Sequence, residues 1–450
     1  MIKTISSLRD AIRQKGFRSA SILIFNSLSW YFPLFILFTN AFDSLHIGYG
    51  QLIMLFAFNY AAIIVSALLG VRFEERIGRN RLLLLWIILG VCSSVSLLLV
   101  GFSSLPVLCG VSVLLGLSLG LGFPSCLAYL GDNLSNEHRG MIGGVTFALT
   151  FVAITLGGYL TTITNFNTAV IGFSLWRLMG LFFFLVLMTN QNFIQTKVGY
   201  FKILEEKPFL LYLIPWTIFC VVNWFEVPFF DTQLQKQYLH TNLSYMISLA
   251  EFGIGGLSMF IGGYFSDRIG RKRLIIAAYA TMGIGYALLS FAAQNSLVFY
   301  SYVVLDGTAW GIFFLMFFLV VWADFAQSRI KNRYYLLGNM PFIMSSFITP
   351  IVTPYSGIIP LIAAFSFASF FLFVGVIPLM VAPETLPEKM MKDRDLKSYA
   401  EKAIKLAAKE ADKKKRENSD DTDKESGEDH DSEQPQSYDD EARKLAEKYY

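Results

Sequence analysis

Three carboxylates lie inside segments of the chain that are otherwise apolar. Glu226, Glu251 and Asp306 are each flanked by long runs of aliphatic and aromatic residues. An ionisable side chain inside a membrane span is costly and is a candidate functional group by default. Three acids at similar depth repel one another in a low-dielectric environment, so at least one would hold a proton and could exchange it. The pattern predicts proton coupling, with the alternative that Glu226 reaches water at a span end and Glu251 pairs with a polar neighbour.

Two short groups of amide and aromatic residues are candidates for contacts with a small solute. Amides hydrogen-bond hydroxyl and carboxyl groups, and indole rings stack on the flat faces of sugars and heterocycles. The alternative explanation for the rings is that they anchor span ends in the membrane interface. The predicted substrate-binding residues are Asn26, Trp30, Tyr31, Asn223 and Trp224.

The elements that must position these residues are predicted to be membrane-spanning helices. Of the 450 residues, 54% are hydrophobic, which is too apolar for an ordinary soluble domain. A bilayer core needs about 20 apolar residues of helix, and the apolar runs are continuous, which favours helices over a β-barrel. We predict an all-α membrane protein with twelve transmembrane helices in two six-helix bundles. The predicted spans are 19–40, 48–71, 82–101, 105–130, 141–163, 168–189, 209–231, 242–265, 274–294, 297–323, 334–354 and 357–381.

Few residues suit catalysis or metal binding. The chain has four His and four Cys, which are scattered singly, with no CxxC pair and no nucleotide-binding loop. We therefore expect no enzyme activity, no metal, no cofactor and no nucleic-acid partner. The expected partners are the lipid bilayer, a small-molecule solute and protons, and the protein is expected to be a monomer.

The loops differ sharply in positive charge. The N-terminus and the loops after even-numbered spans contain twenty Lys and Arg, whereas the loops after odd-numbered spans contain only Lys236. Because positive residues stay on the cytoplasmic side, we predict a multi-pass protein of the cell membrane with both termini in the cytoplasm. The predicted divisions are a cytoplasmic N-terminus (1–18), two bundles (19–189 and 209–381), a cytoplasmic linker (190–208) and a tail (382–450).

The two halves carry a repeated segment. A shift of 192 residues places GVRFEERIGRNRL, residues 70–82, on GGYFSDRIGRKRL, residues 262–274, with eight identities in thirteen. The same shift places Asp132 on Asp324 and Arg139 on Lys331. The repeat indicates that a six-span unit has been duplicated. Parallel repeats of this kind create two bundles with a cavity at their interface near the bilayer midplane.

Six plus six spans, a cytoplasmic linker and the motif GxxxDRxGRK resemble the major facilitator superfamily, over residues 15–385. In the loop after the eighth span the motif consists of Gly263, Asp267, Arg268, Gly270, Arg271 and Lys272. The first copy, with Glu where Asp is usual, contains Glu75, Arg76, Gly78 and Arg79. The resemblance implies a latch that stabilises the state closed to the cytoplasm. Carboxylates could cap a facing helix N-terminus and bind guanidinium groups there. The alternative is that these arginines serve only topology and lipid headgroups.

The same resemblance narrows the function to solute transport. In this family spans 1, 4, 7 and 10 line the cavity, which favours Asp306 as the proton-coupling residue. The Pro383-Glu384-Thr385 segment looks like that of sugar-porter-like members, whereas the Gly-Pro of the antiporter signature is absent before Gly157. We predict a secondary active transporter of a sugar-like solute or other metabolite, working by alternating access with proton coupling. A facilitative uniporter, a drug or solute antiporter with protons, and a membrane sensor that signals through its C-terminal tail are the alternatives.

The tail differs from the rest of the chain in composition. Residues 382–450 contain 15 Lys and Arg against 20 Asp and Glu. Residues 387–417 are predicted to form a weakly amphipathic helix, and the acidic segment beyond is too polar to pack and is predicted to be disordered.

Overall fold

The structure is a computed structural model. It describes residues 9–44, 47–99, 104–189, 199–230, 243–293, 295–326 and 330–386, with isolated positions at 391, 392, 396, 403 and 404. The described residues up to Met391 form one compact unit. The first part of the predicted linker, most of the predicted tail helix and the whole acidic segment lie outside the described residues.

Helices account for nearly all of the described chain. Their bounds are α1 (Lys15–Ser44), α2 (Tyr49–Ile77), α3 (Arg79–Leu99), α4 (Leu105–Gly120), α5 (Phe123–Asp132), α6 (Arg139–Ile163), α7 (Phe166–Leu187), α8 (Tyr200–Leu204), α9 (Lys207–Phe229), α10 (Leu243–Ile269), α11 (Arg271–Ala292), α12 (Ser296–Leu315), α13 (Val321–Phe325), α14 (Lys331–Ser345), α15 (Ile348–Val352) and α16 (Leu361–Val381).

The helices follow the predicted spans closely. Within the described residues, eleven helical segments are long and apolar enough to cross a membrane. Helix α10 occupies the place of the eighth predicted span. Several helices begin earlier than predicted because the charged motif residues are themselves helical, so that α3 and α11 start directly after Gly78 and Gly270. These two glycines have φ angles of 83° and 114°, a region that glycine adopts without steric cost, and each separates two consecutive helices.

The fourth and tenth spans are each interrupted in their second half. Helices α4 and α5 are separated at residues 121–122, next to Pro124. A π-helical segment, Met316–Val320, separates α12 from α13. Proline and π-helical turns both break the regular hydrogen-bond ladder of an α-helix. Beyond each interruption a short helix carries one acid to the end of the span, Asp132 in α5 and Asp324 in α13.

Arg177 holds three helices of the first half together. The guanidinium carbon lies 4.7 Å from the ring centroids of both Trp30 and Trp86, and the residue has no exposed surface. Its Nη1 donates hydrogen bonds to Ser27 Oγ at 2.6 Å and Asn26 Oδ1 at 3.2 Å. Desolvated cation–π contacts are among the stronger ones in proteins. Arg177 therefore links α7 to α1 and α3 inside the bundle.

Replacing Arg177 with lysine should destabilise the protein by about 2–4 kcal/mol, because an ammonium group cannot stack between two indole rings and reach both hydrogen-bond acceptors. The measurement is the fraction of monodisperse protein that remains in detergent after heating to a series of temperatures. Arg81→Lys is the matched control, since Arg81 is exposed. Equal melting of the two variants would contradict a stabilising role for Arg177.

Candidate functional site

A cavity of about 240 Å³ lies between α6, α9, α10 and α12. Its wall contains all three acids that the sequence singled out, Glu226 from α9, Glu251 from α10 and Asp306 from α12. The fold thus brings three carboxylates from three helices to one site. Most of the remaining wall is aromatic and consists of Phe151, Trp224, Phe230, Phe252, Tyr302 and Trp310.

Asp306 occupies the most distinctive position among the three acids. Its carboxylate interacts with the hydroxyl of the buried Tyr302. Its Oδ1 is buried and has no hydrogen-bond partner that meets geometric criteria among the described residues. A buried acceptor without a partner carries a desolvation cost, which a proton or a bound ligand would remove. The geometry leaves Oδ1 available for either.

The amide and indole groups of the second half also reach this cavity. Trp310 Nε1 donates a hydrogen bond of 2.7 Å to Asn223 Oδ1, which fixes the indole plane against the wall. Trp224 Nε1 is buried and has no hydrogen-bond acceptor within the part of the chain that the structure describes. Trp224, which lines the cavity together with the three carboxylates, therefore has one indole donor without a partner.

The predicted substrate residues of the first half lie elsewhere. Asn26 is buried, and its Nδ2 donates to the carbonyl oxygen of Trp176 at 2.7 Å. The indole of Trp30 donates to Ser94 Oγ at 2.8 Å, and Tyr31 is also buried. None of the three residues lines the cavity described above. Asn26 and Trp30 instead surround Arg177, and sequence alone gave no sign that these polar groups satisfy a buried guanidinium.

A second charged site lies at the motif end of the spans. Asp324 forms ion pairs with Arg271 of its own half and with Arg139 of the other half. Arg139 also donates to the side chain of Asn136, and Arg271 Nη2 donates to the Asn136 carbonyl oxygen at 2.8 Å. The side chains of both arginines are almost fully buried. This cluster fastens α6 to α11 and α13.

The first half repeats the same arrangement. Asp132 binds Arg79 of its own half at 2.7 Å and Lys331 of the other half at 2.8 Å. The 192-residue shift relates each of these residues to its counterpart around Asp324. We call the six residues together the ion-pair network. Each acid binds two cations, one from its own half and one from the other half. The network therefore crosses between the two halves twice.

Asp267 adds a direct contact with a helix N-terminus. Its two carboxylate oxygens accept hydrogen bonds from the backbone N–H groups of Gly140, at 3.0 Å, and Met141, at 2.8 Å. Helix N-termini favour negative charge, and such bonds satisfy N–H groups that have no partner within the helix. Gly263 allows the close approach, because a Cβ atom there would lie 2.3 Å from the carbonyl oxygen of Gly140.

The first copy of the motif reaches its facing helix through side chains. Glu75 forms an ion pair with Arg333. Glu74 accepts a hydrogen bond of 2.7 Å from Asn332 Nδ2 and lies 2.7 Å from Arg79 Nε. Positions 332 and 333 correspond to 140 and 141 under the repeat, so both copies bind the same turn of the facing helix. The repeat identified Glu75 but missed Glu74, which is the more deeply buried of the two.

Three of the five basic residues predicted for the latch do not join the ion-pair network. Arg76 is exposed, and Arg268 is exposed with its guanidinium 4.1 Å from the ring centroid of Tyr264. Lys272 Nζ donates to carbonyl oxygens at the end of α16, including that of Ala382 at 2.8 Å.

Four acids that form bonds at this end were not among the predicted site residues: Glu74, Asp132, Asp324 and Glu384. Glu384 accepts hydrogen bonds from the N–H groups of Arg271, at 2.9 Å, and Lys272, at 3.3 Å, and so caps α11. The repeat alignment already contained the signal for Asp132 and Asp324, because it superimposed them. No sequence signal distinguished Glu74 from its neighbour.

Comparisons with known proteins agree with this architecture. The structure of XylE, a proton:xylose symporter bound to 6-bromo-6-deoxy-D-glucose, is similar with a TM-score of 0.65 and 12% identity, over 82% of this chain and 96% of that one. The human organic anion transporter MFSD10 (TETRAN) is similar with a TM-score of 0.62 and 15% identity, over 81% and 99% of the two chains. A search of curated proteins returned no match.

The fold is that of an all-α membrane protein built from two six-helix bundles. The family model of the Major Facilitator Superfamily matches residues 20–333. The chain belongs to this superfamily, whose members are transporters rather than enzymes.

Proposed function

We propose that the protein is a secondary active transporter that moves a small organic solute by alternating access and uses protons as the coupling ion. One observation carries the proposal: a cavity with three acids lies far along the spans from a closed ion-pair network. Asp306 precedes Asp324 by eighteen residues, which is about 27 Å at the rise of an α-helix. Alternating access requires a site that can open to one side of the membrane while the other side is closed.

In this mechanism the ion-pair network and the Asp267 cap form the latch. Together they hold the two halves in contact at the end that loop charge assigns to the cytoplasm. Opening that end would break the bonds of Asp324 to Arg139, of Asp132 to Lys331, and of Asp267 to α6. Because these bonds are charge-assisted and mostly buried, the latch gives the closed state a substantial energetic preference.

The cavity acids are proposed to carry the proton. Glu226, Glu251 and Asp306 line one small cavity, and their mutual repulsion favours protonation of at least one of them. A change of access from one side of the membrane to the other would change the hydration of the cavity and so release or take up that proton. Asp306, with one buried oxygen unpartnered, is the proposed principal site.

Counterflow in proteoliposomes tests the proposal. Sugars, organic acids, amino acids and amines are first screened for thermal stabilisation of the purified protein. Liposomes loaded with a stabilising compound should then take up the same compound in labelled form, and a pH gradient should change the amount accumulated. A uniporter would show counterflow without any response to the gradient, whereas a sensor would bind a compound and show no counterflow.

A further inference from the structure

We propose that the solute is an organic cation with an apolar body, and that this cation competes with protons for the cavity acids. The inference rests on the proposed transport function and assigns its substrate class. It differs from the sugar-like solute that the sequence suggested. Three features of the cavity carry it: its charge, its aromatic wall and the position of Asp306.

The charge of the cavity wall is of one sign. Among the described residues that line it, three are acids and none is Lys, Arg or His. The acids of the latch, Asp132, Asp324 and Glu74, all lie within ion-pair distance of arginine, whereas Oδ1 of Asp306 has no hydrogen-bond partner among the described residues. A buried carboxylate needs compensation by a paired cation or a proton. In the cavity, a mobile cation can supply that compensation to Asp306.

The aromatic wall suits a cation better than it suits a sugar or an anion. Cations bind favourably over the faces of Trp, Tyr and Phe rings, most strongly where water is excluded. Trp310 is held with its indole stacked on Phe314, at 5.4 Å between centroids, and hydrogen-bonded to Asn223. A neutral sugar would leave the negative charge of the three carboxylates without compensation. An anion would be repelled by three carboxylates.

Protons and the cation would act on the same group. Among the described residues, the titratable groups that face Asp306 are Glu226 from α9, Glu251 from α10, Tyr286 from α11 and Tyr302 from its own helix. None of these groups carries positive charge in either of its protonation states. Either ligand therefore neutralises the same negative cluster, and binding of one must weaken binding of the other by the same factor. Such competition leads to exchange of cation for proton across the membrane.

Three probes distinguish the substrate classes in a binding experiment with the full-length protein in detergent. They are benzyltrimethylammonium, which carries a permanent charge, 3-phenylpropionate and D-xylose. Calorimetry should show saturable binding of benzyltrimethylammonium alone, at least tenfold tighter at pH 8 than at pH 5. In weakly buffered solution a pH indicator should report proton release as this cation binds. Asp306→Asn should reduce both the affinity, by about tenfold, and the proton release.

Matched variants separate specific binding from general effects. Asp10→Asn makes the same chemical change at an exposed position outside the cavity and should bind the cation like the unaltered protein. Trp310→Leu should weaken binding of the cation and leave the pH dependence of that binding unchanged. Saturable binding of 3-phenylpropionate or D-xylose in place of the cation would overturn the inference. So would cation binding that neither releases protons nor responds to Asp306→Asn.

The transport function and the substrate class can be refuted separately. Counterflow and pH-driven uptake of a sugar or an acid, without binding of the cation, would leave the transport function intact and refute the substrate class. Cation binding with proton release but no counterflow would refute transport and leave the ligand class standing.

Discussion

Replacing Asp306 with asparagine should abolish accumulation of solute driven by a pH gradient, while exchange of solute at saturating concentration continues. With one proton per solute, a gradient of one pH unit supports accumulation of up to about tenfold, since each factor of ten corresponds to about 1.4 kcal/mol. The amide keeps the size of the carboxyl group but cannot bind and release a proton. The accumulation ratio should therefore fall from about ten to about one.

The measurement is labelled solute uptake into proteoliposomes, with the gradient imposed in each direction and with counterflow recorded on the same preparation. Retained counterflow shows that the variant is folded and still changes access. Asp10→Asn is again the matched control, and Asp306→Glu should restore part of the pH response. A pH response in Asp306→Asn equal to that of the unaltered protein would remove this residue from the coupling mechanism and direct attention to Glu226 and Glu251.

Replacing Asp324 with asparagine should shift the protein towards the state that is open at the latch end. The change leaves the guanidinium groups of Arg139 and Arg271 buried without their principal acid. Removal of one partner from a buried ion pair typically costs about 3–5 kcal/mol. The cost applies only where the pairs are formed, so it falls on the closed state. The ratio of open to closed protein should rise by roughly 100-fold or more.

Distances between spin labels measure this shift directly. Labels on cysteines introduced at Arg81 and Arg268 report separation of the two halves, because both residues are exposed and lie near the latch on opposite halves. The four native cysteines would first be replaced. The distance distribution should move to longer values in Asp324→Asn, and transport should slow because return to the closed state becomes rate-limiting.

The repeat supplies internal controls for the latch. Asp132→Asn should act in the same direction, since Asp132 occupies the equivalent place between Arg79 and Lys331. A double variant, Arg139→Gln with Asp324→Asn, should shift the distribution less than Asp324→Asn alone, because one uncompensated charge has been removed with its partner. Unchanged distance distributions in both single variants would show that the network contributes nothing to the choice between states.

The sequence by itself determined the membrane architecture. Apolar runs of about 20 residues predicted the helices, because backbone groups in lipid must be hydrogen-bonded within their own segment. The repeat predicted two related halves. The sequence alignment alone also paired Asp132 with Asp324, which occupy equivalent places in the ion-pair network. The three cavity acids could be singled out for the same reason, since charge inside an apolar segment is costly wherever it lies.

Only the tertiary structure decided which polar residues face one another. Periodicity within a span gives the face of a residue but not the neighbour that covers it, so Asn26 and Trp30 could not be distinguished in sequence from Asn223 and Trp224. The first pair surrounds Arg177, which lies about 150 residues further along the chain. Likewise, the choice of Glu74 to bind Asn332 depends on the rotation of α2 against α14. Packing between distant helices sets that rotation, and no local pattern encodes it.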